Sequence, residues 1–202
     1  MIDLARSDGS APSHRVHVET KGRKSMNKTL MAISFSVMVC LMAVWPGAAR
    51  AQGSFESVSG TAFVNAVPGD FYLEGNRIPT ERRNSALLKN AKGSRVVVGL
   101  IDTTGYSSQI KAKYTGFLIT ETSISFGGVT LGVGSYGIGL DSPASPSTAD
   151  ATFKIYDQAG TKVGEGTAKR DESVKQPKPL GVAVEVGKPT KILFGRFGVE
   201  IQ

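Results

Sequence analysis

From residue 52 onward, glycine cuts the chain into short runs rich in β-branched and aromatic residues, and this constrains the fold more than any other feature. Such runs are too short for ordinary helices and suit strands joined by turns. The clearest is Arg95-Val96-Val97-Val98-Gly99-Leu100-Ile101, a continuous β-branched stretch of the kind buried on both faces of a sheet. Weak alternation at Thr61–Val67 and the apolar trio Phe71-Tyr72-Leu73 read as further strands. So do Phe117–Thr120, Ser123–Phe126, Val129–Leu131, Tyr136–Leu140, Ala151–Tyr156 and Lys162–Gly166. Leu180–Val186 alternates cleanly, and Lys191–Phe194 and Phe197–Ile201 close the chain. The expected fold class is all-β, a single-domain β-sandwich or distorted barrel with at most one or two short helices, preceded by a signal peptide.

Two segments carry helical signals. Tyr106, Ile110 and Tyr114 recur at i, i+4, i+8, which predicts a short helix between Ser107 and Tyr114. Thr80–Lys92 reads as one arm of a hairpin turning at Asn90-Ala91-Lys92-Gly93. A helix capped by Thr80 and ending before Gly93 is the rival reading. Ser142–Ala149, with two prolines, is a loop, and Ala168–Pro179 is a charged, proline-bearing connection.

The front of the chain follows another logic. Lys28 precedes an uncharged run from Leu30 to Trp45, then Pro46-Gly47, then Ala49-Arg50-Ala51. Positive charge, apolar run, helix breaker and small-x-small site come in the order of a secretory signal, and the run is short for a membrane span. The expected organisation is a disordered extension at 1–25 that is an artefact of start-site choice, translation starting at Met26, then a signal peptide at 26–51 cleaved after Ala51 (with Ala49 and Ala51 as the recognition residues), and one β-rich domain at 52–202. Cys40 follows bulky Val37-Met38-Val39, which argues against lipidation. The expected location is periplasmic or secreted, with membrane contact only through the signal segment before cleavage.

Cleavage there removes both histidines (His14, His17), the one cysteine and the one tryptophan (Trp45). The 151 residues that remain can form no disulfide, no Ser-His-Asp or Cys-His arrangement and no Cys/His zinc site. No catalytic residue, metal ligand or cofactor is therefore expected. Seventeen basic residues then face fourteen acidic ones, a net charge of +3. That charge suits solubility and gives no nucleic-acid footprint.

Four local patterns invite a chemical reading. Gly132-Val133-Gly134-Ser135-Tyr136-Gly137 fits G-x-G-x-x-G, but Ile138-Gly139-Leu140 and a proline loop follow, where a dinucleotide site needs a helix. A tight turn and a strand with close backbone approach explain the glycines instead. Asp102-Thr103-Thr104-Gly105 resembles the aspartic-protease D-T-G with one residue inserted. No second copy exists, so Asp102 is expected to bond turn amides. Glu74, Arg77, Glu81, Arg82 and Arg83 form the densest charged cluster of the first half. It reads either as a carboxylate or anion clamp or as a solvated edge that blocks aggregation. Tyr106 and Tyr114 read either as lining a pocket or as core residues with wet tips.

Leu131-Gly132-Val133-Gly134-Ser135-Tyr136 resembles the L-P-A-G-T-Y turn-and-strand element of several families of exported bacterial β-domains. Gly132 stands at the family's Pro and Val133 at its Ala. The resemblance implies an envelope β-sandwich in which Gly134 turns the chain and Tyr136 starts a strand, and it transfers no catalytic residue.

The functional expectation is an exported, non-catalytic binding or interaction module of the cell envelope. Its partner is a small molecule or an envelope protein, not a nucleic acid, and Arg77, Arg82, Arg83, Tyr106 and Tyr114 are the ligand-binding candidates. One alternative is a carboxylate-dependent glycan hydrolase drawing on Asp70, Glu74, Asp102 or Glu121. The other is a structural envelope component that pairs through a sheet edge.

Overall fold

Strands dominate the computed structural model, which describes residues 55–144, 149–185 and 187–202, and burial alternates with period two along Ala151–Tyr156 and Thr190–Phe194. Among these residues, thirteen strands form one antiparallel sheet: β1 (Phe55–Val58), β2 (Asp70–Leu73), β3 (Asn76–Asn90), β4 (Arg95–Ile101), β5 (Gly116–Thr120), β6 (Ile124–Phe126), β7 (Val129–Leu131), β8 (Gly134–Asp141), β9 (Ala151–Tyr156), β10 (Lys162–Arg170), β11 (Gly181–Ala183), β12 (Thr190–Phe194) and β13 (Phe197–Ile201). Two short helices join them, α1 (Thr61–Ala66) and α2 (Ser108–Lys113). The main path runs β1-β3-β4-β5-β8-β9-β10-β13-β12-β11, with β2 on β3 and the β6–β7 hairpin on β13.

The sheet curls into a nearly closed barrel. Its ends meet at Thr190 on β12, whose hydroxyl accepts from the Phe55 amide at 3.3 Å and donates to the Phe55 carbonyl at 3.1 Å. One side chain thus does locally what a strand ladder does elsewhere. The barrel interior is packed with Leu88, Val96, Val98, Leu118, Ile138, Phe153 and Ile155 and with residues of β6, β12 and β13. Phe153 fills it because Gly127 and Gly166 leave room: a Cβ on either would lie 2.6 Å or less from its ring.

A second core covers the outer face of β3–β4–β5. There Val67, Phe71, Leu73 and Ile78 pack on Leu87, Val97, Ile101 and Phe117, with Ile110 of α2 and Tyr114, the residue that follows it. The Phe71 and Phe117 rings stack with centroids 5.0 Å apart. β4 lies between the two cores, so its continuous apolar run is buried on both faces as its sequence predicts.

Thr80–Lys92 takes the hairpin conformation: β3 turns into β4 through Gly93 at φ 88°. The register with β4 slips between Glu81 and Ser85, an irregularity of the kind that bends a strand, and ahead of it Asn76–Pro79 pairs with β2 while Thr80 and Glu81 stay on β4. The Asn84 amide donates to Glu81 Oε2 at 2.6 Å and the Ser85 hydroxyl to the Glu81 carbonyl at 2.9 Å, holding the bend. The predicted helix is present as α2, capped by the Ser107 hydroxyl on the Ile110 amide.

Three expectations are corrected. Thr61–Val67 is not a strand but holds α1, because Gly60 at φ 74° turns the chain and two alanines favour helix until the residue before Pro68 is forced extended. Ala168, Lys169 and Arg170 belong to β10, since Lys169 and Arg170 find register partners on β13 and Ala168 one on β9. The alternation of Leu180–Val186 yields, among the described residues, only the three residues of β11, which pairs there with β12 alone. The extension at 1–25, the signal segment at 26–51 with Ala49 and Ala51, and part of the 142–149 loop lie outside the described residues.

Candidate functional site

The β2–β3 hairpin brings several of the candidate residues to one surface. Its two-residue turn, Glu74-Gly75, has φ 50° and 75°, the pattern of a type I′ turn. Glu74 has the only positive φ of a non-glycine among the described residues. Such a backbone is costly for a residue with a Cβ and persists where its surroundings over-determine it.

Those surroundings are explicit. The Glu74 amide donates to the Gln158 carbonyl at 2.8 Å, tying the turn to the β9–β10 turn. Glu74 Oε1 accepts from the Tyr114 hydroxyl at 2.7 Å and from the Lys113 ammonium, which also donates to the Gly160 carbonyl at 2.7 Å. Lys113 lies 4.8 Å from the centre of the Tyr156 ring, and Tyr156 meets Tyr114 edge-on. The hydrogen bonds from Lys113 and then Tyr114 hold Glu74 below the usual carboxylate range. Burial, then the bond to Glu74, pushes the Tyr114 hydroxyl up. Glycines make the packing possible: a Cβ on Gly137 would lie 2.7 Å from the Tyr114 ring, and one on Gly139 2.3 Å from the Lys113 carbonyl. Gly134 and Gly137 of the G-x-G-x-x-G stretch therefore belong to a strand, β8, with Gly132 in the connection before it, and Gly137 serves to seat a tyrosine.

Above this anchored base, the solvent face of the hairpin carries Tyr72 and Arg77 directly opposite each other. Tyr72 is 54% exposed. The Arg77 side chain reaches diagonally to Asp70 Oδ2 at 2.6 Å and is 67% exposed. Tyr106 approaches from the other side of β3 and donates its hydroxyl to the Arg77 carbonyl. The Arg82 guanidinium lies beside Gly69, next to Asp70, and Arg83 is exposed in the bent part of β3. Of the five predicted residues, Arg77 and Tyr106 are thus hydrogen-bonded together and Arg82 is near them in the fold. Tyr114 is turned inward, 2% exposed, with its hydroxyl taken by Glu74.

The four candidate carboxylates each have a partner. Asp70 holds Arg77, Glu74 holds Lys113 and Tyr114, and Glu121 takes the Arg95 guanidinium and amide. Asp102 accepts from the Thr104 amide at 2.9 Å, as turn chemistry predicts, and is held below its usual range by that residue.

Sequence reasoning missed Tyr72, Lys113 and Tyr156. The signal for Tyr72 was Leu73-Glu74-Gly75-Asn76: an X-Gly pair after an apolar run suits a two-residue hairpin turn, and with Leu73 facing the core the residue before it must face away. Lys113 and Tyr156 carry no such local signal, because a distant turn supplies their partner.

A second concave region follows the barrel seam. A cleft of about 330 Å³ lies between Ser57 and Phe63 on one side and Leu180 and Val182 on the other. A cleft of about 670 Å³ lies among Phe55, Lys89, Lys92 and Glu185. Comparison with protein families, curated proteins and solved structures returns no match for this chain.

Proposed function

We propose that this domain is an exported, non-catalytic binding or interaction module of the cell envelope whose recognition surface is the β2–β3 hairpin face. The observation that carries the reading is the exposed Tyr72–Arg77 pair on a turn anchored from beneath by Glu74, Lys113 and Tyr114. Tyrosine and arginine are the residues that dominate interaction hot spots, and a rigid platform loses little entropy on binding. The carboxylates that a hydrolase would need are occupied by cationic side chains, a hydroxyl or turn amides, which favours binding over catalysis. Export rests on the order of features in residues 26–51.

A thermal-shift screen of the chain against envelope metabolites, glycans and divalent ions tests the reading, because a ligand of the native state raises Tm. The expected result is a saturable rise that Tyr72→Ala and Arg77→Ala both abolish. A hit unaffected by either substitution places recognition elsewhere and defeats this assignment.

A further inference from the structure

We propose that β2 is a docking edge for an extended strand of a partner polypeptide carrying a carboxylate side chain, which Arg77 receives. This rests on the binding-module reading above and names its partner.

The first observation is the ladder. A two-residue I′ turn closes on a hydrogen-bonded pair, here Leu73 with Asn76. Bonded and non-bonded pairs alternate in an antiparallel ladder. Phe71 therefore bonds Ile78, whereas Asp70 and Tyr72 point their amide and carbonyl groups away from β3. The β3 side agrees. Arg77 and Pro79 direct their carbonyls the other way, to the Tyr106 hydroxyl and the Asp102 amide. Among the described residues β2 pairs with β3 alone, and Tyr72 is exposed. Its backbone donor and acceptor therefore form the open rung of a sheet edge.

The second observation is charge. The Arg77 guanidinium spends one contact on Asp70 and presents its remaining donors to solvent over β2. Arg82 lies beside Gly69 at the start of the same strand. Glu81 is turned to Asn84. An acidic side chain on an added strand meets guanidinium groups there, and a basic one meets repulsion.

The barrel seam is the competing edge, and its width argues against it. β3 and β11 approach within 8 Å between Cα atoms. An inserted strand needs about 9.5 Å between its neighbours, twice the strand spacing. The β2 edge is met at its Glu74 end, where the Gln158 carbonyl takes the Glu74 amide, and an added strand pairs from Tyr72 toward Asp70, where β2 has no strand opposite β3 among the described residues.

The test uses the full chain and three blocked hexapeptides: alternating Val-Glu, alternating Val-Lys, and the Val-Glu peptide with its valines replaced by proline. Backbone amide exchange and NMR shifts of Tyr72 and Arg77 are the readouts. The acidic peptide is expected to slow exchange of the Tyr72 amide and to bind about fivefold more tightly than the lysine peptide, with the difference shrinking at high salt. Arg77→Ala removes that preference, Arg77→Lys retains part of it, and the proline peptide fails to protect the Tyr72 amide. Equal binding by the lysine or proline peptide overturns the proposal, as does an unprotected Tyr72 amide. If the peptides leave Tyr72 untouched while a glycan or metabolite shifts it, the strand proposal falls and the binding reading stands. If nothing moves the hairpin face, both fall.

Discussion

The Tyr114 hydroxyl donates to Glu74 Oε1 at 2.7 Å, from a tyrosine at the end of α2 to a glutamate on a left-handed backbone 40 residues earlier. This bond and the Lys113 contact fix the hairpin turn against α2 and the β9–β10 turn. The strained position of Glu74 is thereby explained by what its carboxylate holds.

Replacing that carboxylate tests the anchor. Glu74→Gln keeps the shape and removes the charge, and is expected to cost about 1 kcal/mol, read as a lower Tm. The pH dependence follows from the same contacts. Because Glu74 is held below its ordinary value of 4.5, the unfolded chain binds more protons at this site than the folded one. Its contribution is fully present above about pH 4.5 and is lost as pH falls through the folded-state value. Wild-type stability should drop more steeply than that of Glu74→Gln between about pH 5 and pH 3, measured by denaturant midpoints. Parallel slopes would show that the contacts from Lys113 and Tyr114 do not bias the charged form.

Thr190 closes the barrel with a single hydroxyl. Thr190→Val keeps the shape and leaves the buried Phe55 amide and carbonyl without that partner, at an expected cost of about 1–3 kcal/mol. Thr190→Ser retains the hydroxyl and should recover most of it. Exchange of the Phe55 amide is expected to accelerate in the valine variant and stay slow in the serine variant.

Two glycines of one motif should respond unequally. Gly137→Ala drives a Cβ to 2.7 Å from the Tyr114 ring and 3.0 Å from Leu73, and is expected to cost about 1–3 kcal/mol. Gly132→Ala meets only the Tyr136 hydroxyl at 4.0 Å and should fall within about 0.5 kcal/mol of wild type. Urea denaturation of both variants reads the difference. Equal effects would contradict the seating of Tyr114 against β8.

Much of the fold is legible in residue order. The run Arg95–Ile101 announces a strand buried on both faces, and the spacing of Tyr106, Ile110 and Tyr114 announces α2 with its inward face. Asp157–Gly160 marks the β9–β10 turn. Thr61–Val67 misleads because its alternation is shallow and Gly60 and Pro68 govern the backbone instead. Within the candidate surface, the charge cluster points to Arg77 and the turn residues to its hairpin. Neither reveals that Arg77 leans on Asp70 while Tyr106 holds its carbonyl.

Local pattern marked most of the strands and their turns, because these follow from backbone sterics and a period of two, but not Thr61–Ala66, which is helical, nor the extents of β10 and β11. Tertiary structure alone decided that the sheet curls until Thr190 meets Phe55, that Glu74 anchors Tyr114, and that β2 is left with an open edge. Each of these depends on which remote strand supplies a hydrogen-bond partner, and a backbone donor carries no record in its own sequence of the acceptor it will meet.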